Sequence, residues 1–216
     1  MSKILEPSLL AFDVKQMKEQ LMEVKRAGAE YIHYDVMDGI FVLNTAFGPE
    51  WLTLIHDCGL KANVHMMVQD PLNWIEHFIK YPVNSLTFHP EVTDKRTATK
   101  AFDILKKHHI KFGIAIKATV DAHNLTDYLS ICDYVCIMSV EPGKGGQAFI
   151  PNAIDNLKKV KHIKDTINPN LTIQLDGGVN LEVIKQTAEW VDHFVSGSFL
   201  MKQSNKKIIF DLVKHI

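Results

Sequence analysis

Cysteine is scarce in this chain of 216 residues: there are three, Cys58, Cys132 and Cys136. They form neither the even set of a disulfide framework nor the paired spacing of a zinc finger. Cys132 and Cys136 fall at the end of a predicted helix and in a predicted strand, where core packing accounts for them. Charge of one sign is missing too: Lys and Arg number 24 against 25 Asp and Glu, a net charge of −1. Nothing in that balance directs the chain to nucleic acid or to an anionic membrane. No stretch approaches the roughly 18 uninterrupted apolar residues of a membrane span. The segment Met1-Ser2-Lys3-Ile4-Leu5-Glu6-Pro7 lacks the basic flank and apolar core of a secretion leader. These absences predict a reduced, cytoplasmic protein. There is no linker rich in proline, glycine or serine and no low-complexity tract, so residues 1–216 are expected to form one domain. With 46% hydrophobic and 23% charged residues the chain can bury a substantial core.

What the sequence does have is alternation. Short β-branched runs near 4–9, 31–36, 61–66, 84–89, 111–116, 133–139, 171–175 and 191–195 read as strands. Helical patterns lie between them, near 14–27, 49–58, 71–80, 95–108, 121–131, 152–166 and 180–189, with a last one near 205–214. Pro49, Pro71 and Asp121 mark helix starts. Eight strands joined by helical crossovers imply a parallel sheet. Polar residues follow many strands rather than one switch point, which favours closure into an α/β (β/α)8 TIM barrel over an open sheet.

The run Tyr31-Ile32-His33-Tyr34-Asp35-Val36-Met37-Asp38-Gly39 carries a histidine and an aspartate two positions apart. Residues at i and i+2 of a strand share a face, so His33 and Asp35 project together. His65 ends the next strand and Asp176 ends the seventh. Two imidazoles and two carboxylates at the mouth suit one divalent cation, with zinc the first choice and iron(II), manganese or cobalt as alternatives. His89, ending the fourth strand, faces the same mouth.

The loops supply a second pattern. Gly177 and Gly178 follow the seventh strand, and Gly197 and Ser198 follow the eighth. Barrels commonly build phosphate sites from these two loops, with backbone N–H groups turned to the anion. The loop after the sixth strand, Met138-Ser139-Val140-Glu141-Pro142-Gly143-Lys144-Gly145-Gly146-Gln147, reads as a cover that excludes water.

These motifs resemble the ribulose-phosphate 3-epimerase family: H-x-D-V-M-D-G-x-F-V at 33–42, V-H-x-M at 64–67, M-S-V-x-P-G-x-G-G-Q at 138–147 and D-G-G at 176–178. The resemblance implies a (β/α)8 barrel that interconverts D-ribulose 5-phosphate and D-xylulose 5-phosphate, with one divalent metal held by His33, Asp35, His65 and Asp176. It implies Asp35 and Asp176 as the acid/base pair, with Ser8 and His65 on the substrate. Met37, Met67 and Met138 would line the reacting centre. Gly143, Lys144, Gly145, Gly146, Gly177, Gly178, Gly197 and Ser198 would lie at the phosphate end, and the protein would be a homo-oligomer. Inverting a carbon beside a ketone fits this pair: a proton leaves one face and another returns to the opposite face through an enediolate that a cation stabilises. Three positions depart from the family pattern. Leu43 replaces a proline, Lys144 replaces an aromatic residue, and Lys117-Ala118-Thr119 lacks a common proline. With Phe88-His89-Pro90-Glu91, they leave D-allulose 6-phosphate, a hexulose 6-phosphate, as the alternative substrate. Barrel decarboxylases are disfavoured, because the second strand lacks the lysine they use. A binding protein without catalysis would not need two bases.

Overall fold

The computed structural model describes residues 2–216. Among these, eight parallel strands form the wall of a barrel: β1 (Ile4–Pro7), β2 (Tyr31–Asp38), β4 (Lys61–Met67), β5 (Ser85–Phe88), β6 (Lys111–Ile116), β7 (Tyr134–Met138), β8 (Thr172–Asp176) and β9 (His193–Ser196). A two-residue strand, β3 (Thr45–Ala46), folds back antiparallel on the end of β2. The order in the sheet is β1-β9-β8-β7-β6-β5-β4-β2-β3. The ring closes where Ser8 makes a parallel bridge to His33. The expected strand 4–9 is therefore shorter: Leu9–Ala11 turns into 3-10 geometry right after the bridge.

Helices α1 (Met17–Ala27), α2 (Leu52–Asp57), α3 (Pro71–Phe78), α4 (Lys95–Lys107), α5 (Thr126–Leu129), α6 (Ala153–Thr166), α7 (Leu181–Thr187), α8 (Ser198–Met201) and α9 (Lys206–Lys214) follow the strands. Asp70 and Asp94 cap α3 and α4 by accepting from the N–H groups of Asn73 and Thr97, and Pro71 opens α3. The helix expected over 121–131 is instead a 3-10 turn, Ala122–Leu125, followed by the single turn of α5. Side-chain hydroxyls explain the interruption: Thr126 Oγ1 donates to the His123 carbonyl and Ser130 Oγ to that of Asp127. Such local bonds compete with the helical ladder. The chain contains no helix, among the described residues, long and apolar enough to cross a membrane.

The two faces of the wall divide the core. Ile32, Tyr34 and Val36 pack outward in one cluster with helix residues such as Leu21, Ile75 and Leu157, all fully buried. Each such aliphatic side chain contributes about 1.5–3 kcal/mol of burial. The three cysteines are free and buried, as core packing requires. Inward, the alternate positions are polar: Glu6, His33, Asp35, Asn63, His65, Ser85, Thr87, Gln174 and His193 are all buried. A small apolar group, Ala115, Cys136, Met138 and Val140, packs separately from the outer core. Barrel interiors are usually filled by branched aliphatic residues. This lumen is filled by hydrogen-bonding groups, which are costly to bury unless paired.

Candidate active site

Register brings the site together. Asp35 on β2 pairs directly with His65 on β4, and Met138 on β7 pairs with Asp176 on β8. The two aspartates thus approach from β2 and β8, strands separated by β1 and β9 on one side of the ring. His33 Nε2 lies 3.1 Å from Asp35 Oδ1 and 3.3 Å from Asp176 Oδ2. His65 Nδ1 lies 3.3 Å and 3.7 Å from the same two oxygens. One donor atom from each of the four residues fits within 4.8 Å of every other. Ser8 Oγ donates to Asp35 Oδ2 at 3.2 Å, fixing the second carboxylate oxygen.

Electrostatics follow from that crowding. Burial opposes the Asp35 carboxylate, but the His33 imidazole and hydrogen bonds from His33 and His65 outweigh it and hold its pKa well below the usual range. Burial likewise opposes the His33 cation, yet the charges of Asp35 and Asp176 raise its pKa well above the ordinary value. Two carboxylates and two imidazole nitrogens at these separations form a group with the donors to hold a metal ion.

Above the donors opens a cavity of about 650 Å³. Ser8, Asp35, Met37, Met67, Met138 and Asp176 line its floor, and Gly143, Lys144, Gly145, Gly146, Gly177, Gly178, Gly197 and Ser198 its rim. His33 and His65 lie beneath it, each 1% exposed. Of the candidate site residues singled out in the sequence, all but His33, His65 and His89 line this cavity. Lys202 also lines the cavity. Its only sequence signal is its place one helical turn beyond Gly197 and Ser198, since a lone lysine in a terminal helix reads as solvated surface.

The rim is shaped by the backbone. Gly178 has φ +63°, and a Cβ there would come 2.5 Å from the Phe149 nitrogen, so glycine is obligatory. Ser139 Oγ donates to the Asp176 and Gly177 carbonyls, binding the sixth loop to the seventh. Gln147 Nε2 donates to the carbonyls of Glu141 and Lys144, and Asn44 Nδ2 to that of Gly143. Asp38 stays outside the donor set. It accepts from the N–H groups of Ile40, Phe41 and Gln69, which makes it the clamp of the second loop.

His89 sits behind His65, fully buried, with its Nε2 3.0 Å from His65 Nε2. Burial pushes its pKa down from 6.5 to about 4. The unfolded chain therefore takes up a proton at His89 below pH 6.5, and the folded protein only near pH 4. Stability is lost as pH falls through that window, by on the order of 3 kcal/mol from this one group. Denaturant unfolding of metal-free protein between pH 7 and 4 should show a shallower pH slope for His89→Gln than for wild type. Equal slopes would mean that His89 is protonated in the fold.

A closed barrel with acid and imidazole groups gathered at the C-terminal mouth of its strands defines a barrel enzyme. Solved tryptophan synthase structures share the fold alone: one from Mycobacterium tuberculosis has a TM-score of 0.71 at 14% identity, covering 99% of this chain and 92% of that one. The α-subunit from Pyrococcus furiosus gives 0.69 at 17% identity, covering 100% and 97%. Sequence comparison is more specific. Residues 4–201 match the model of the Ribulose-phosphate 3 epimerase family. A ribulose-phosphate 3-epimerase of Mycobacterium leprae is 36% identical over 92% of this chain and 88% of its own length. Those of Buchnera aphidicola (from Acyrthosiphon pisum) and Escherichia coli K12 are 33% and 30% identical, over 97% and 96% of this chain and 92% and 93% of theirs. The chain belongs to the ribulose-phosphate 3-epimerase family, and it is an isomerase of the epimerase type.

Proposed function

We propose that this protein interconverts D-ribulose 5-phosphate and D-xylulose 5-phosphate, using Asp35 and Asp176 as two bases and a divalent cation held by His33, Asp35, His65 and Asp176. The observation that carries this reading is the approach of two carboxylates from different walls, β2 and β8, to the same pair of imidazoles. Epimerisation needs one group to take the proton from one face of the carbon beside the ketone and another to return one to the opposite face. A single carboxylate does not reach both faces.

Asp35 is kept ionised by its neighbours and is aimed by Ser8 Oγ. Asp176, at the end of β8, is the partner from the opposite side. The donor set of two imidazoles and two carboxylates suits zinc, iron(II), manganese or cobalt. When bound, such a cation polarises the ketone and offsets the charge that develops on its oxygen. Met37, Met67 and Met138 keep the floor apolar and polarisable around the reacting carbon. The rim glycines let backbone N–H groups come close to the phosphate. Lys144 and Lys202 add positive charge to the same cavity.

The test is turnover of D-ribulose 5-phosphate against D-allulose 6-phosphate by freshly purified enzyme. A higher kcat/KM on the pentulose phosphate is expected. A large preference for the hexulose phosphate would overturn the substrate assignment.

A further inference from the structure

His65 turns one ring nitrogen to the carboxylates and the other to His89. His65 Nδ1 faces Asp35 and Asp176, and His65 Nε2 lies 3.0 Å from His89 Nε2. Two imidazole nitrogens at that distance share one proton. Were it on His89, a neutral His65 would carry its own proton on Nδ1 and point it at Asp35, leaving no lone pair for a cation. With the proton on His65 Nε2, the Nδ1 lone pair faces the carboxylates. Without a cation Asp35, 3.3 Å from His65 Nδ1, favours the first arrangement, and a cation between the carboxylates requires the second, which the far edge of His89 supports. Its Nδ1 lies 3.6 Å from Glu91 Oε1, beyond hydrogen-bond length but within electrostatic reach, where a carboxylate favours an N–H over a lone pair. Glu91 Oε1 is in turn held by Lys117 Nζ at 2.8 Å. Phe41 backs the arrangement, its ring 4.8 Å from that of His89 and 4.5 Å below Lys117 Nζ.

We infer that His89, Glu91 and Lys117 are positioning residues: they favour the arrangement in which His65 donates its Nε2–H to His89 and turns its Nδ1 lone pair to the cation. The chain runs from Lys117 and Glu91, 29% and 34% exposed, to a buried imidazole. It rests on the cation reading above and extends it to residues outside the donor set. A buried, neutral His89 is consistent with it, since desolvation keeps the imidazolium form out of reach at neutral pH. Partners of this kind typically change metal affinity by about 10–100-fold when removed.

The experiment is titration of metal-free, full-length protein with zinc, read by calorimetry, for wild type, His89→Leu and His89→Gln. His89→Leu is expected to weaken zinc binding by about 10–100-fold. His89→Gln should restore most of it, because a glutamine amide oxygen accepts from His65 Nε2–H where leucine does not. Nitrogen-15 imidazole spectra of zinc-loaded wild type should show His65 protonated on Nε2 and His89 on Nδ1. A merely structural role predicts that Leu and Gln behave alike. That result, wild-type zinc affinity in His89→Leu, or a zinc-loaded protein with His89 protonated on Nε2 would each overturn the inference. A wild type that binds no zinc overturns the cation reading and this role together. Zinc binding in the expected order, in a protein that epimerises neither ketose phosphate, supports the role while overturning the functional reading.

Discussion

Asp35→Asn and Asp176→Asn should each lower kcat by about 10²–10⁴, the usual loss when a general acid or base is removed. The substitution keeps volume and one oxygen but cannot carry a proton at neutral pH. Both variants should suffer, because each carboxylate serves one face of the carbon and the other cannot substitute for it. In Asp35→Asn the new amide oxygen can still accept from Ser8 Oγ, so the loss reports chemistry rather than collapse. Steady-state kinetics in both directions, with circular dichroism to verify folding, make the measurement. Near-normal turnover in either variant would remove the two-base assignment.

The second large effect lies beneath the site. Glu6 is fully buried, and its Oε1 is 2.5 Å from His193 Nδ1. Asn63 Nδ2 donates to both carboxylate oxygens at 3.0 Å, and Asn63 Oδ1 accepts from Asn84 and Ser85. Burial alone would raise the pKa of Glu6; the bond and charge of His193 bring it below the ordinary value instead. The carboxylate is thus ionised in the fold, and its stabilisation is complete above pH 4.5 and lost as pH falls through the depressed folded value. His193→Leu leaves that charge buried with one amide partner and should cost about 3–5 kcal/mol in urea unfolding. The double variant Glu6→Leu/His193→Leu should recover much of the loss, because removing the buried carboxylate together with its partner removes the desolvation penalty. A single-variant cost below about 1 kcal/mol, typical of a solvated pair, would contradict a buried ionised Glu6.

The parts of the fold that sequence made legible are those governed by local periodicity. Strands such as Tyr31–Asp38 alternate between apolar and polar residues because their two faces meet different surroundings, and that alternation placed His33 and Asp35 on one side. His65 and Asp176 were legible because strand ends in a barrel share one mouth. Less visible were features that depend on partners far along the chain. Glu6 finds His193 and Asn63 at separations of 187 and 57 residues, so one glutamate in a short apolar strand carried no local sign of its role. The early end of β1 was hidden for the same reason, since closure of the ring rests on the bridge between Ser8 and His33. In the 121–131 segment apolar spacing suggested a helix, and side-chain bonds of Thr126 and Ser130 to the backbone prevailed over it.

Activity measured against bound cation tests the central claim most directly. Metal-free protein reloaded in steps with zinc or manganese should gain 3-epimerase activity in proportion to bound metal, levelling at one equivalent per chain, and His65→Ala should fail to retain that equivalent. Full activity in protein stripped of metal, or activity that ignores occupancy, would contradict the account.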